Sequence, residues 1–142
     1  MPRHVFVYGT LRCGEQRDIN LLKPAPRYVG RARVAGVLFN LGDYPGLRLE
    51  IQNTDQVLVN GEVYEISPAL EDLLDEIEGI QPQPNGEYLK REVPAQLVSG
   101  APGAPTERVC LVYEVAAGRV LRCPVIEGGD WVDYRLQPNA AA

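Results

Sequence analysis

The sequence has one histidine, His4, and two serines, Ser67 and Ser99. A histidine-rich metal centre is thereby excluded within one chain. A serine–histidine–acid device would have to use His4 and a serine that lies in no nucleophile-elbow sequence. The cysteines, Cys13, Cys110 and Cys123, are odd in number and show no C-x-x-C spacing. That argues against a disulfide framework or zinc knuckle and fits a reducing, cytoplasmic compartment. Basic charge is not in excess: 14 Lys and Arg against 19 Asp and Glu leave a formal net charge of −5. Nucleic acid and anionic membrane surfaces are poor partners for such a chain, because basic patches hold both. No apolar run reaches the roughly 18 residues of a membrane span, and the N-terminus does not have the layout of a secretory signal. Long helical patterns are scarce as well. Fourteen glycines and twelve prolines favour short strands and sharp turns.

What is present reads as one domain over residues 1–142, long enough to bury a core, with a tail expected to fray from about 137. "VFVY" at 5–8 is apolar on both strand faces, the pattern of an interior strand covered on two sides. Residues 18–22 leave room for a short helical turn. "YVGRARVAGVLFNL" at 28–41 reads as a long strand bent at Gly36, and "LGDYPGL" as a turn with Pro45 and Gly46 at its tip. "QVLVNGEVYEI" at 56–66 is a strand whose Gly61 marks a bend or a close backbone approach. "SPALEDLLDEIEG" at 67–79 is the clearest helix. Ser67 can cap it, Pro68 suits its first position, and Leu70, Leu73, Leu74 and Ile77 share one face. Gly79 is placed to end it. After the polar loop "QPQPNG", the segments 87–98 and 107–115 alternate as an antiparallel pair joined by a loose linker. The last segment is expected to pack Trp131. The sum is an α+β class: a small, mixed, curled sheet approaching a barrel, with one main helix and short helical turns.

Two places could carry chemistry. A strand that stops abruptly at Tyr8–Gly9 can present bare N–H groups to an anion, with Thr10 adding a hydroxyl. On spacing alone a plain structural turn is the default reading, and no nucleotide P-loop sequence is present. The second place is Glu78, in the last turn of the helix and beside Leu74. The carbonyl end of a helix disfavours an anion, and burial would raise the carboxyl pKa further. By default such an acid is a solvated surface charge. Cys13 follows the loop, but His4 is the one imidazole available as its base and sits at the far end of the strand, so an incidental cysteine is expected. Arg12 and Arg91 are either partners for an acidic ligand or surface charges. Trp131 and Tyr113 are expected in the core or a pocket wall.

Six segments together resemble the gamma-glutamylcyclotransferase-like family: "VFVYGTLR" at 5–12, "GDYPG" at 42–46, "GEVYEI" at 61–66, "LLDEIEG" at 73–79, "EYLKREV" at 87–93 and "EGGDWVDY" at 127–134. They run in the family's order along nearly the whole chain. The resemblance implies a small mixed barrel with its pocket at the YGTL loop. It implies a reaction in which the α-amine of a γ-glutamyl group attacks its own γ-carbonyl, releasing 5-oxoproline and a free amine. It assigns the glutamyl moiety to Tyr8, Gly9, Thr10 and Leu11, with Tyr113 lining the same pocket, and the proton shuttle to Glu78. It implies neither metal nor organic cofactor, and a small-molecule γ-glutamyl substrate as partner. A non-catalytic carboxylate-binding protein on the same fold is the alternative.

Overall fold

A computed structural model describes residues 3–42, 44–49, 57–80, 86–98 and 107–136. The expected loop 81–85, the linker 99–106 and the tail from 137 lie outside the described residues. Among the described residues there are six strands: β1 (Arg3–Val7), β2 (Arg27–Asn40), β3 (Pro45–Arg48), β4 (Val57–Ile66), β5 (Tyr88–Leu97) and β6 (Glu107–Val115). The main helix is α1 (Pro68–Ile77), and a short second helix is α2 (Trp131–Leu136). Two 3-10 turns, Ile19–Leu21 and Ala117–Arg119, complete the elements.

The strands run in the order β3-β2-β4-β1-β6-β5, and β5 pairs back onto β2. That return contact, Ala32 with Leu97 and Arg33 with Gln96, closes five strands into a ring. The α+β barrel expected from the sequence is therefore correct in class. Strand β3 stands outside the ring, paired to the C-terminal part of β2. β1 is parallel to β6 and antiparallel to β4. The parallel pairing sends the C-terminal ends of β1 and β6 to the same rim of the barrel. Because β5 is antiparallel to β6, with Tyr88 opposite Val115, β5 starts at that rim too.

The two-sided apolar pattern of β1 follows from this position. Phe6 and Tyr8 belong to an inner cluster with Val34, Val59, Val63 and Val112. Val5 and Val7 face the other way, into a cluster with Leu70 and Leu74 of α1. Barrel interior lies on one side and helix on the other. Residues of the chain's end reach the inner cluster as well: Trp131, on α2, is 4% exposed.

One expectation needs correction. Pro45 and Gly46 are not a turn tip. They open β3, Asn40 opposite Pro45 and Phe39 opposite Gly46, and both are buried. The reversal falls before them. The segment from Trp131 packs that side chain as expected and winds into a short helix, which the sequence pattern did not announce. The helix also buries more than its leucine stripe: Asp75 is 2% exposed beside the fully buried Leu70 and Leu74.

Gly61 does mark a close approach. A Cβ placed there would lie 2.3 Å from the Val7 carbonyl oxygen and 2.7 Å from Phe6 Cζ. The neighbouring strand's backbone is an obstacle that cannot move aside. Gly61→Ala is expected to cost about 1–3 kcal/mol by overpacking, read as a lower urea midpoint, while Arg33→Ala on the exposed side of β2 should cost much less.

Candidate functional site

β1 ends at Val7, and the chain is held at the next residue by a side chain. Tyr8 is buried, and its hydroxyl donates to the Tyr113 carbonyl at 2.7 Å. Burial pushes the Tyr8 phenol well above its usual range, so it remains a donor. Gly9 follows against Pro45: a Cβ here would meet Pro45 Cγ at 2.6 Å. Only glycine lets the YGTL loop and the DYPG segment meet this closely. The carbonyls of Gly9, Thr10 and Leu11 then accept from the N–H groups of Arg12, Arg17 and Ile19 at 3.0, 2.8 and 2.8 Å. Among the described residues, the N–H groups of Gly9, Thr10 and Leu11 have no partner. The strand thus ends in three successive unpaired donors, as an anion cradle requires.

Buried ion pairs brace this loop from behind. Arg12, 6% exposed, donates through Nε to Glu62 at 3.1 Å and through Nη1 to Asp130 at 2.9 Å. Glu62 also accepts from the Cys13 N–H at 2.9 Å, and Asp130 from the Asp133 N–H at 3.1 Å. Arg12 is therefore neither a surface charge nor a ligand contact; it ties the loop to β4 and to the start of α2. Arg91 likewise has an internal partner, the fully buried Glu114, at 3.1 Å. The Cys13 side chain is exposed.

Glu78 is placed by the way α1 ends. Ser67 caps the first turn, accepting from the Leu70 N–H at 3.2 Å. At the other end the Gly79 N–H reaches the Glu76 carbonyl at 3.1 Å and the Ile80 N–H reaches the Asp75 carbonyl at 2.7 Å. With Gly79 at φ +75°, this is a Schellman closure. It leaves Glu78 as the C-cap, at the negative end of the helix. The Glu78 carboxyl is half-buried, and burial pushes its pKa up to about 7; Arg17 acts against the shift and Glu87 adds to it.

These pieces converge. Glu78, Tyr8, Gly9, Thr10, Leu11 and Tyr113, the six site residues expected from the sequence, all line one cavity of about 370 Å³. Sequence reasoning missed further wall residues, among them Arg17, Tyr44, Glu87 and Tyr88. Tyr44 and Tyr88 lie inside the segments that carried the resemblance, so a signal existed for them. Glu87, which opens the segment 87–93, carried the same signal; Arg17 is a charge without a pattern. The Tyr44 hydroxyl donates to Glu87, which joins the segment before β3 to the start of β5 across the cavity mouth.

The Tyr113 ring forms part of the wall, but its hydroxyl is engaged, donating to Asp75 Oδ1 at 2.7 Å. Lys90 reaches Asp75 Oδ2 at 2.9 Å and also pairs with Glu71. Burial works against the Lys90 charge, yet these two carboxylates raise its pKa. The network packs α1 against β5 and β6 just behind Glu78. Tyr113→Phe is expected to cost about 1–3 kcal/mol of stability by removing a hydrogen bond to a buried carboxylate, measurable by urea unfolding, with the cavity wall kept.

A family profile described as Gamma-glutamyl cyclotransferase, AIG2-like, matches residues 5–133. The chain belongs to this family. Among curated relatives, the Gamma-L-glutamyl-butirosin B gamma-glutamyl cyclotransferase of Niallia circulans is 44% identical over 79 residues, 55% of this chain and 46% of that protein. The chain thus matches less than half the length of this relative. Among solved structures, YkqA from Bacillus subtilis has a TM-score of 0.70 at 26% identity, covering 96% of this chain and 42% of its own. An AIG2-like protein from Mus musculus has a TM-score of 0.70 at 24% identity, covering 89% and 86%. No helix among the described residues is long and apolar enough to cross a membrane.

The electrostatics of the candidate site give a stability test. Folding raises the Glu78 pKa from 4.5 to about 7. The protonated acid's contribution is fully present below the unfolded pKa and is lost as pH rises through about 7. Wild type should therefore lose stability relative to Glu78→Gln between about pH 4.5 and pH 7, by up to about 3 kcal/mol. A difference that stays constant over that range, in urea unfolding, contradicts the burial of this carboxyl.

Proposed function

We propose that this protein is a cyclotransferase acting on a γ-glutamyl amine, with Glu78 as general base and then general acid. The observation that carries this reading is one cavity holding a carboxyl whose pKa burial pushes up to about 7 and a row of three backbone donors without a partner among the described residues. The family membership and the reaction named for the Niallia circulans relative support it.

The chemistry asks for two proton transfers at one place. The substrate's α-amine must lose a proton to become a nucleophile, and the departing amine must gain one. A carboxylate at Glu78 accepts the first proton as the α-nitrogen bonds to the γ-carbon. The resulting tetrahedral centre collapses, the bond to the leaving nitrogen breaks, and Glu78 returns the proton there. A group with a pKa near the working pH does both with little loss. The products are 5-oxoproline and a free amine. The ring closes within one molecule, so positioning supplies much of the acceleration. The Gly9, Thr10 and Leu11 N–H groups stabilise negative charge on the substrate. Tyr8 contributes by pinning this loop, since its hydroxyl is already committed to the Tyr113 carbonyl. Tyr113 contributes a wall. Proton transfer and internal acyl transfer require no redox or electron-sink cofactor.

The experiment is release of 5-oxoproline from a panel of γ-glutamyl amines, comparing wild type with Glu78→Gln. Glutamine keeps the shape but carries no proton, so the rate is expected to fall on the order of 10²–10⁴-fold. Equal rates for the two proteins would remove Glu78 from the mechanism. In wild type, kcat/KM should rise with pH along a limb centred near the free-enzyme pKa of about 7. No release from any substrate, together with binding of a small carboxylate by calorimetry, favours the non-catalytic binding protein.

A further inference from the structure

A second hollow of about 450 Å³ adjoins the cavity and shares two wall residues with it, Arg17 and Ile77. Its remaining wall is Asp18, Leu21 and Leu22. The apolar part is open to solvent: Leu21 is 73% exposed on the 3-10 turn Ile19–Leu21. Asp18 is occupied locally. Its two oxygens accept from the Gly14 N–H at 2.8 Å and from the Asn20 N–H and Nδ2 at 2.9 Å each, capping that turn. Arg17 differs. Its backbone N–H is fixed to the Thr10 carbonyl, but among the described residues its guanidinium makes no hydrogen bond or ion pair. It is also the sole cation among the described residues that line either hollow.

The position of Glu78 gives this hollow a use. If Glu78 returns a proton to the leaving nitrogen, that nitrogen must lie beside it, and the rest of the leaving group must extend away from the glutamyl cradle. Ile77 precedes Glu78 in the chain and forms the border between the two hollows. We propose that the second hollow is the leaving-amine subsite, and that it selects γ-glutamyl derivatives of amino acids with an apolar side chain. The carboxylate of the leaving amino acid pairs with Arg17, and its side chain lies on Leu21, Leu22 and Ile77. The same Arg17 disfavours a leaving amine that carries extra positive charge. This assignment rests on the cyclotransferase reading, and the reaction is the one already written: a new bond from the α-nitrogen to the γ-carbon, loss of the bond to the leaving nitrogen, and one proton carried from the first nitrogen to the second.

Four substrates separate the contributions: γ-glutamyl-leucine; γ-glutamyl-isopentylamide, which keeps the leucine side chain but lacks its carboxylate; γ-glutamyl-glycine, which lacks the side chain; and ε-(γ-glutamyl)-lysine, which adds a cation. The full chain is assayed by 5-oxoproline release. The leucine derivative should exceed each of the other three in kcat/KM by about tenfold, the value of one charged hydrogen bond or of a small apolar contact. Arg17→Gln should raise KM for γ-glutamyl-leucine by about tenfold and close its gap to the isopentylamide. Leu21→Ser should close part of the gap between leucine and glycine. Both side chains are exposed, so neither change threatens folding. Equal kcat/KM for all four substrates, or a preference for the lysine derivative, overturns the subsite while the cyclotransferase reading stands. No 5-oxoproline from any substrate overturns that reading and the subsite with it.

Discussion

Strand β1 is buried on both faces, and the site depends on that constraint. A strand enclosed by the barrel interior and by a helix cannot slide or turn without exposing one set of side chains. Its parallel pairing with β6 carries both C-terminal ends to one rim, where β5 begins and α1 ends. The chain can leave β1 only by a sharp exit at Gly9, and Pro45 stands against that exit. The tyrosine at the strand's end is the clamp: its hydroxyl reaches across to the backbone of β6 and fixes where the ladder stops. Unpaired N–H groups are a consequence of stopping there.

Charges around the rim divide into those that brace and those that are left available. Arg12, Glu62 and Asp130 are almost fully buried and satisfied by one another; so is Glu114, with Arg91, Arg48 and the Leu49 N–H around it. Such pairs contribute little net stability once desolvation is counted, but breaking one leaves a charge stranded, so they hold loops in place. Among the described residues Glu78 has no comparable partner, and it sits at the wrong end of a helix dipole. Its environment makes it costly as an anion. A carboxyl of that kind exchanges protons near neutrality, whereas a well-paired one does not.

The structural neighbours share this barrel at low identity, which fits a scaffold set by burial pattern and strand order. Function is carried by sites placed on such scaffolds rather than by the scaffold itself. Arg17 and the exposed Leu21 lie at the rim and line the second hollow.

The local signals in the sequence were sufficient for several elements because each depends on short-range physics. The α1 cap at Ser67, its stripe of Leu70 and Leu74 and its stop at Gly79 are all matters of neighbours within four residues. The two-sided apolar run of β1 and the alternating pair β5–β6 were legible for the same reason. Pro45–Gly46 was misread because turn chemistry describes a dipeptide, whereas its pairing to β2 and its burial come from elsewhere in the chain. Glu78 was legible as a disfavoured anion; that its carboxyl shares a cavity with the N–H groups of residues 9–11 was not. The same limit hid Arg12's burial, Asp75's bond to Tyr113 and the presence of Arg17 and Glu87 at the rim. The sequence by itself determined the elements and the strain at their ends. Only tertiary structure decided which ends meet, because ring closure through β2–β5 and the parallel β1–β6 pairing join residues more than sixty positions apart.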